Sequence, residues 1–87
     1  MKPCVYVIKS LKDKHYYIGS TLDINKRFKE HENGYVKSTK NRRPLRLKYV
    51  LKYDDIKTAS KMEKIFKKSK DALKRQLIKR NLSEDGV

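Results

Sequence analysis

The stretch that decides the fold is CVYVIKSLKDKHYYIGSTLDINKRFKEHENG, residues 4–34. Residues 4–8 are apolar and rich in β-branched side chains, which predicts a strand. Residues 12–14 form a polar turn, and residues 15–18 predict a second strand that pairs with the first as a hairpin. We expect residues 19–21, Gly-Ser-Thr, to end that second strand.

A helix is predicted directly after the hairpin. Asp23 is a favourable N-cap, because its side chain can accept a hydrogen bond from the first turn of a helix. Ile24, Phe28 and His31 recur at the spacing i, i+4, i+7 and therefore share one stripe. Gly34 can adopt the positive φ that commonly ends a helix.

The second half of the chain predicts one more strand and two helices. Between residues 45 and 53 apolar and basic side chains alternate, which is typical of a strand with one buried and one cationic face. Thr58 is expected to begin the next helix as its N-cap, and Ser69 to begin a third. The apolar positions of these two helices are Ala59, Met62, Ile65, Phe66, Leu73 and Leu77.

The predicted elements follow one another in the order ββαβαα, which indicates an α+β fold. A three-stranded antiparallel sheet with the three helices on one face satisfies this order and leaves the opposite face for function. We expect a single domain over residues 1–80 and a polar, frayed tail over residues 81–87.

Composition restricts the class of protein. The 87 residues contain 24 Lys and Arg against 10 Asp and Glu, a formal net charge of +14 that points to nucleic acid as the partner. One cysteine, Cys4, excludes an internal disulfide framework and a cysteine-based zinc site. No apolar run approaches the ~18 residues of a membrane span, and no signal peptide is present, so we expect a cytoplasmic protein without a membrane partner.

The most basic segment is residues 33–53, which contain no acidic residue. We expect its cations to contact the phosphate backbone, which contributes affinity and salt dependence but reads no sequence. The candidate backbone contacts are Lys37, Arg42, Arg43 and Arg46.

Four polar residues of the first half could form a site, although each also has an ordinary structural explanation. Tyr6 and Tyr17 can come side by side in the predicted hairpin, yet strand tyrosines commonly serve packing. Arg27 and His31 lie four residues apart and project from one helix face, an arrangement that is also common on a solvated surface.

Glu63 stands out in the second half. Residues 57–80 contain ten basic residues and only two acids, one of which is Glu63. The carboxylate either forms an ordinary i, i+4 pair with Lys67 or holds a metal ion in a site otherwise suited to phosphate.

Together these residues resemble the GIY-YIG nuclease superfamily. The matching stretches are CVYVIKS, HYYIGSTLDINKRFKEHENG, VKSTKNRRPLRLKY and ASKMEKIFKK, which run from Cys4 to Lys68. The closer resemblance is to small stand-alone bacterial members that are similar to the endonuclease domain of the ABC excinuclease of nucleotide-excision repair. Cys4 and Val5 stand where the family name has Gly and Ile, a harmless departure because only Tyr6 carries function in that motif.

The resemblance implies an endonuclease that hydrolyses phosphodiester bonds in DNA with one divalent metal, Mg²⁺ or Mn²⁺, and acts in DNA repair. Glu63 would hold the metal, and Arg27 would bind the scissile phosphate. The candidates for the general base are Tyr6, Tyr17 and His31, of which we favour Tyr17.

The resemblance also implies a substrate that is branched or damaged DNA, cut structure-selectively or with weak sequence specificity, with RNA left open. Gly19 would let the backbone approach a phosphate, and Ser20 is a candidate phosphate ligand. Lys40 and Asn41 would border the site, with Lys40 as an auxiliary cation. The alternative is a non-catalytic nucleic-acid-binding module, for DNA or RNA, that retains the nuclease fold.

Overall fold

The structure, a computed structural model, describes residues 2–82 and confirms the predicted α+β order. Between the first helix and the third strand lies a single 3₁₀ turn, Lys40–Arg42. None of the helices within residues 2–82 is long and apolar enough to cross a membrane. The elements are β1 (Cys4–Ser10), β2 (Tyr16–Thr21), α1 (Ile24–Glu32), β3 (Leu45–Lys52), α2 (Ile56–Lys68) and α3 (Lys70–Lys79).

The three strands form one antiparallel sheet in the order β2-β1-β3, so β1 is the central strand. Helices cover both of its faces, and the expectation of three helices on one face is therefore wrong. Helices α2 and α3 pack on one face, against Val5 and Val7. Helix α1 packs on the other, against the alternate β1 residues Cys4, Tyr6 and Ile8.

Each face of the sheet has its own apolar cluster. The larger cluster lies beneath α2 and α3, where Ala59 and Phe66 are fully buried. Its other buried members are Val5, Val7, Ile18, Tyr49, Leu51, Leu73 and Leu77. The smaller cluster lies beneath α1 and contains Cys4, Tyr6 and Ile8 together with Tyr17, Ile24, Phe28, Leu45, Leu47 and Val50.

Strand β3 does not have the predicted buried and cationic faces. Val7 pairs with Tyr49 and the next β1 residue, Ile8, pairs with Leu47, so the register shifts by one residue at this point. Side chains alternate with a period of two, and one extra residue therefore moves everything beyond it to the other face. Leu47 consequently packs beneath α1, while Tyr49 and Leu51 pack beneath α2 and α3.

Strand β2 is longer than predicted. Gly19, Ser20 and Thr21 do not break it; they continue the ladder with β1, and Gly19 lies opposite Tyr6. Pairing with β1 gives these residues backbone hydrogen bonds, and these outweigh the local preference of the Gly-Ser-Thr sequence for a turn.

The helix ends test the predicted capping residues. Asp23 accepts a hydrogen bond from the N–H of Lys26, and Gly34 has a φ of +79°, so both predictions are confirmed. Ser69 caps α3 as predicted. Helix α2 differs: its N-cap is Asp55, and Thr58 is the residue whose backbone N–H donates to the Asp55 carboxylate.

The predicted tail lies only partly within the described residues. Asn81, at a φ of +58°, and Leu82 terminate α3, since the N–H of Leu82 donates to the carbonyl of Leu77 at 2.7 Å. Leu82 also packs against the larger apolar cluster. Residues 83–87 lie outside the described part of the chain.

Replacing Asp55 by Ala should lower the free energy of unfolding, because the Thr58 N–H loses its side-chain acceptor. Thr58→Ala is the matched control and should cost distinctly less, because Thr58 supplies the backbone donor and Ala is a better helix former. Urea unfolding followed by circular dichroism measures both. A larger loss in Thr58→Ala would mean that Thr58 is the cap.

Candidate active site

Three aromatic side chains meet beneath α1, each from a different element. Tyr6 comes from β1, Tyr17 from β2 and His31 from α1. The ring centroids of Tyr6 and Tyr17 are 6.2 Å apart, and that of His31 lies 5.6 Å from Tyr6 and 5.2 Å from Tyr17. The hairpin register and the helical stripe thus bring together the side chains that the sequence nominated separately.

The Tyr6 hydroxyl connects this cluster to Arg27. It lies 3.0 Å from Nε2 of His31 and accepts a hydrogen bond of 3.4 Å from Nε of Arg27. Burial raises the pKa of Tyr6 to about 12, although the Arg27 hydrogen bond opposes the rise. The hydrogen bond to Tyr6 raises the pKa of Arg27 above its usual value. At neutral pH the phenol therefore keeps its proton and the guanidinium its charge.

His31 is a buried, neutral histidine. Its side chain is 0% exposed, and its second ring nitrogen, Nδ1, lies 2.7 Å from Oγ1 of Thr39. Burial, with a contribution from the Arg27 charge, lowers the pKa of His31 to about 4. Thr39 has no sequence signal as a site residue, because only the folding of the 33–44 loop places its hydroxyl against the ring.

Gly19 is required by the Tyr6 ring. A Cβ atom on Gly19 would lie 2.5 Å from both Cζ and the hydroxyl oxygen of Tyr6. The sequence suggested that this glycine lets a phosphate approach the backbone. The structure instead fills the space above the buried Gly19 with the side chain that orients Arg27.

Glu63 approaches from the other face of the sheet, because α2 carries it. Ser20 donates a hydrogen bond to its Oε1 at 2.5 Å, and Nζ of Lys67 lies 2.7 Å from its Oε2. The carboxylate is thereby held against β2, which is an edge strand of the sheet. Ser20, nominated as a phosphate ligand, is thus also a partner of the candidate metal ligand.

Lys67 links the two faces around the edge formed by β2. Besides its ion pair with Glu63, its Nζ lies 5.9 Å from the ring centroid of Tyr17. The hydrogen bond with Glu63 raises the pKa of Lys67, so it is a cation at neutral pH. The sequence indicated Lys67 only as an ordinary i, i+4 partner; its approach to Tyr17 depends on how α2 docks.

Not all the predicted contact residues join this cluster. Arg42 is paired with Asp13 at 3.1 Å, and Arg43 donates to the carbonyls of Lys40 and Glu32. These two side chains thus brace the loop that carries them. The remaining predicted contacts are exposed, in that loop or on β3, which lies across the sheet from β2: Lys37, Lys40, Asn41 and Arg46.

The fit of a divalent metal depends on Glu63. Among residues 2–82 no three His, Cys, Asp or Glu side chains cluster to form a metal site. A lone carboxylate still suits Mg²⁺, which accepts hard oxygen donors and retains several waters. The Glu63 side chain is 18% exposed, and its Oε2 is paired with Nζ of Lys67.

The chain belongs to the GIY-YIG family, a family of nucleases. A family model described as the GIY-YIG catalytic domain matches residues 2–77, which include all five residues nominated for catalysis. Nucleases of this family generally use divalent metals.

The chain is also similar to bacterial proteins named UPF0213 protein. One from Syntrophus aciditrophicus (strain SB) is 40% identical over 82 residues, covering 92% of this chain and 93% of the relative. Another, from Listeria monocytogenes serotype 4b (strain F2365), is 40% identical over 84 residues, covering 91% and 90%. No solved structure matches the chain.

His31 should make stability depend on pH. Its pKa is about 4 when folded against 6.5 for the free side chain, so between these values the unfolded chain binds a proton that the folded protein does not. Stability should therefore fall as pH is lowered from 6.5 to 4, by roughly 3 kcal/mol from this residue. The measurement is urea unfolding as a function of pH.

Two variants isolate the contribution of His31. His31→Gln should be less stable at neutral pH but show a flatter dependence below pH 6.5, because the titrating group is gone. His15→Gln changes an exposed histidine and should keep the wild-type slope. If the free energy of unfolding had the same pH dependence in wild type and His31→Gln, His31 would not be the group whose pKa is lowered by folding.

Proposed function

We propose that the protein is a metal-dependent endonuclease that hydrolyses phosphodiester bonds in DNA, with Tyr17 as the general base. The observation that carries this proposal is the difference in access among the three candidate bases. Tyr6 is 1% and His31 0% exposed, and both are engaged with each other. Tyr17 is half-buried, so it is the one of the three candidates with more than marginal surface open to solvent.

Tyr17 would take the proton of the attacking water on its hydroxyl oxygen. Tyrosine is a weak base at neutral pH unless nearby positive charge stabilises its phenolate. Nζ of Lys67 lies 5.9 Å from the ring centroid of Tyr17. In this proposal Tyr17 accepts the proton at the β2 edge, with the Lys67 ammonium beside its ring.

Arg27 would bind the phosphate and stabilise the negative charge that develops on it. Its Nε donates to Tyr6 and its Nη1 to Glu30 at 3.1 Å, which orients the guanidinium. A guanidinium has five N–H donors, so others stay open to phosphate oxygens. In this mechanism Tyr6 is a positioning residue that acts through Arg27.

Glu63 would hold Mg²⁺ or Mn²⁺, which when bound supplies Lewis-acid stabilisation of the phosphate and the leaving oxygen. Ser20 orients one oxygen of the carboxylate, and a bound metal would compete with Lys67 for the other. A single protein ligand also implies weak metal affinity in the absence of DNA.

The substrate proposal rests on charge. A net charge of +14 favours a polyanion, and long exposed Lys and Arg side chains contact phosphates without reading bases. We therefore propose DNA cut structure-selectively or with weak sequence specificity, branched or damaged DNA in particular. Action in DNA repair, in the cytoplasm, is part of the same proposal, and RNA is a competing substrate in its test.

One observation favours a second candidate, a non-catalytic nucleic-acid-binding module. Both oxygens of Glu63 already have protein partners, Ser20 and Lys67. An ion pair of this kind can be purely structural. The two candidates differ in whether Glu63 is needed for cleavage.

Glu63→Ala should abolish metal-dependent cleavage and leave DNA affinity unchanged or slightly higher, because one negative charge leaves a cationic protein. The assay offers plasmid, single-stranded and branched DNA, and RNA, with Mg²⁺, Mn²⁺ or EDTA. Glu32→Ala, which removes an exposed carboxylate of α1, is the matched control and should cut like wild type. Equal cleavage by wild type and Glu63→Ala, or none by either, would leave the binding module as the function.

Tyr17→Phe should fold normally, since the ring still packs, and lose roughly 10²–10⁴-fold in cleavage rate if its hydroxyl accepts the proton. Tyr16→Phe removes the neighbouring, exposed hydroxyl and should leave the rate unchanged. Single-turnover rates with bound DNA separate chemistry from binding. A full rate in Tyr17→Phe would exclude this tyrosine as the base.

A further inference from the structure

Helix α2 carries a row of four exposed lysines on its solvent side, which we call the α2 lysine stripe: Lys57, Lys61, Lys64 and Lys68. Their spacings of four, three and four residues place them within about 60° of one another around the helix axis. The stripe is roughly 16 Å long at 1.5 Å per residue. It lies opposite the side of α2 that buries Ala59 and Phe66.

The stripe conflicts with a rule of helix electrostatics. Like charges three and four residues apart repel, and none of the four lysines forms an ion pair with another residue of the 2–82 range. Lys57 also stands in the first turn, but there the N-cap carboxylate of Asp55 offsets the unfavourable end of the helix dipole. A bound polyanion would remove the repulsion among the four lysines.

The stripe adjoins the candidate active site. Viewed down the helix axis, at 100° per residue, Lys67 lies beside the stripe on the circumference of α2. Glu63 lies beyond Lys67, between it and the buried side of the helix. Glu63 and Lys67 lie at the β2 edge, against Ser20 and Tyr17. The basic segment that dominates the sequence instead includes β3, at the opposite edge of the sheet.

We propose that the α2 lysine stripe binds the phosphate backbone of duplex DNA next to the cleavage site, so that the duplex crosses the β2 edge of the sheet. This inference rests on the proposed function for its ligand, but not on catalysis. A DNA strand carries one phosphate per 3.4 Å of helix axis, so a stripe of this length faces several successive phosphates. Contacts of this kind position the duplex and read no sequence.

The test compares two variants with the same change in charge. In the stripe variant Lys57, Lys61, Lys64 and Lys68 become Gln, and in the matched control the α3 residues Lys70, Lys74, Arg75 and Lys79 become Gln; all eight are exposed. Affinity for a short DNA duplex is measured against salt concentration in EDTA, so that no cleavage occurs. Circular dichroism and thermal melting verify folding.

The slope of log affinity against log salt should become shallower by about 3 to 4 in the stripe variant and by less than about 1 in the α3 control. Equal changes of slope in both variants would mean that only the net charge of the protein matters. An unchanged slope in the stripe variant would mean that the stripe does not contact DNA. Either result overturns the proposal. Should the fourfold variant not fold, the two halves of the stripe, changed in pairs, should each lose about half the effect.

This experiment separates the stripe from the enzyme proposal. If the wild type cuts nothing but the slopes differ as expected, the stripe stands and the nuclease proposal fails. If the wild type cuts and the slopes change equally, the nuclease stands and the stripe fails. A charge-retaining variant, with the four lysines changed to Arg, should preserve the wild-type slope.

Discussion

Strand β1 is covered on both faces, and this two-sided burial organises the fold and the candidate site together. Its odd-numbered residues Val5 and Val7 pack beneath α2 and α3, and its even-numbered residues pack beneath α1. Because side chains alternate strictly along a strand, one strand supplies both the larger apolar cluster and the tyrosine that orients Arg27. Any shift of the β1 register would therefore disturb stability and the site at once.

The candidate site combines a rigid buried part with an accessible part. Tyr6 and His31 are held by hydrogen bonds away from water, in a setting where both stay neutral. Tyr17, which is half-buried, and Lys67, which is exposed, lie at the β2 edge of the sheet. A buried, satisfied network of this kind favours one arrangement, because each of its groups loses a partner in any other.

The site also spans the two layers of the protein. Arg27 belongs to α1 on one face of the sheet, and Glu63 belongs to α2 on the other, where it is held against Ser20 of the edge strand β2. Lys67 lies between them, paired with Glu63 and close to Tyr17. The position of the edge explains why the α2 lysine stripe, rather than the more conspicuous basic segment around β3, adjoins the candidate site.

Features set by neighbours in the chain were correctly predicted: the hairpin, the caps Asp23 and Ser69, Gly34, and the ββαβαα order. Capping and side-chain periodicity depend on groups a few residues apart, so sequence suffices for them. The shifted register of β3, the continuation of β2 through Gly19, the buried partner Thr39 and the approach of Lys67 to Tyr17 were decided only by tertiary structure. Each depends on pairing or packing between distant segments, which local patterns do not contain.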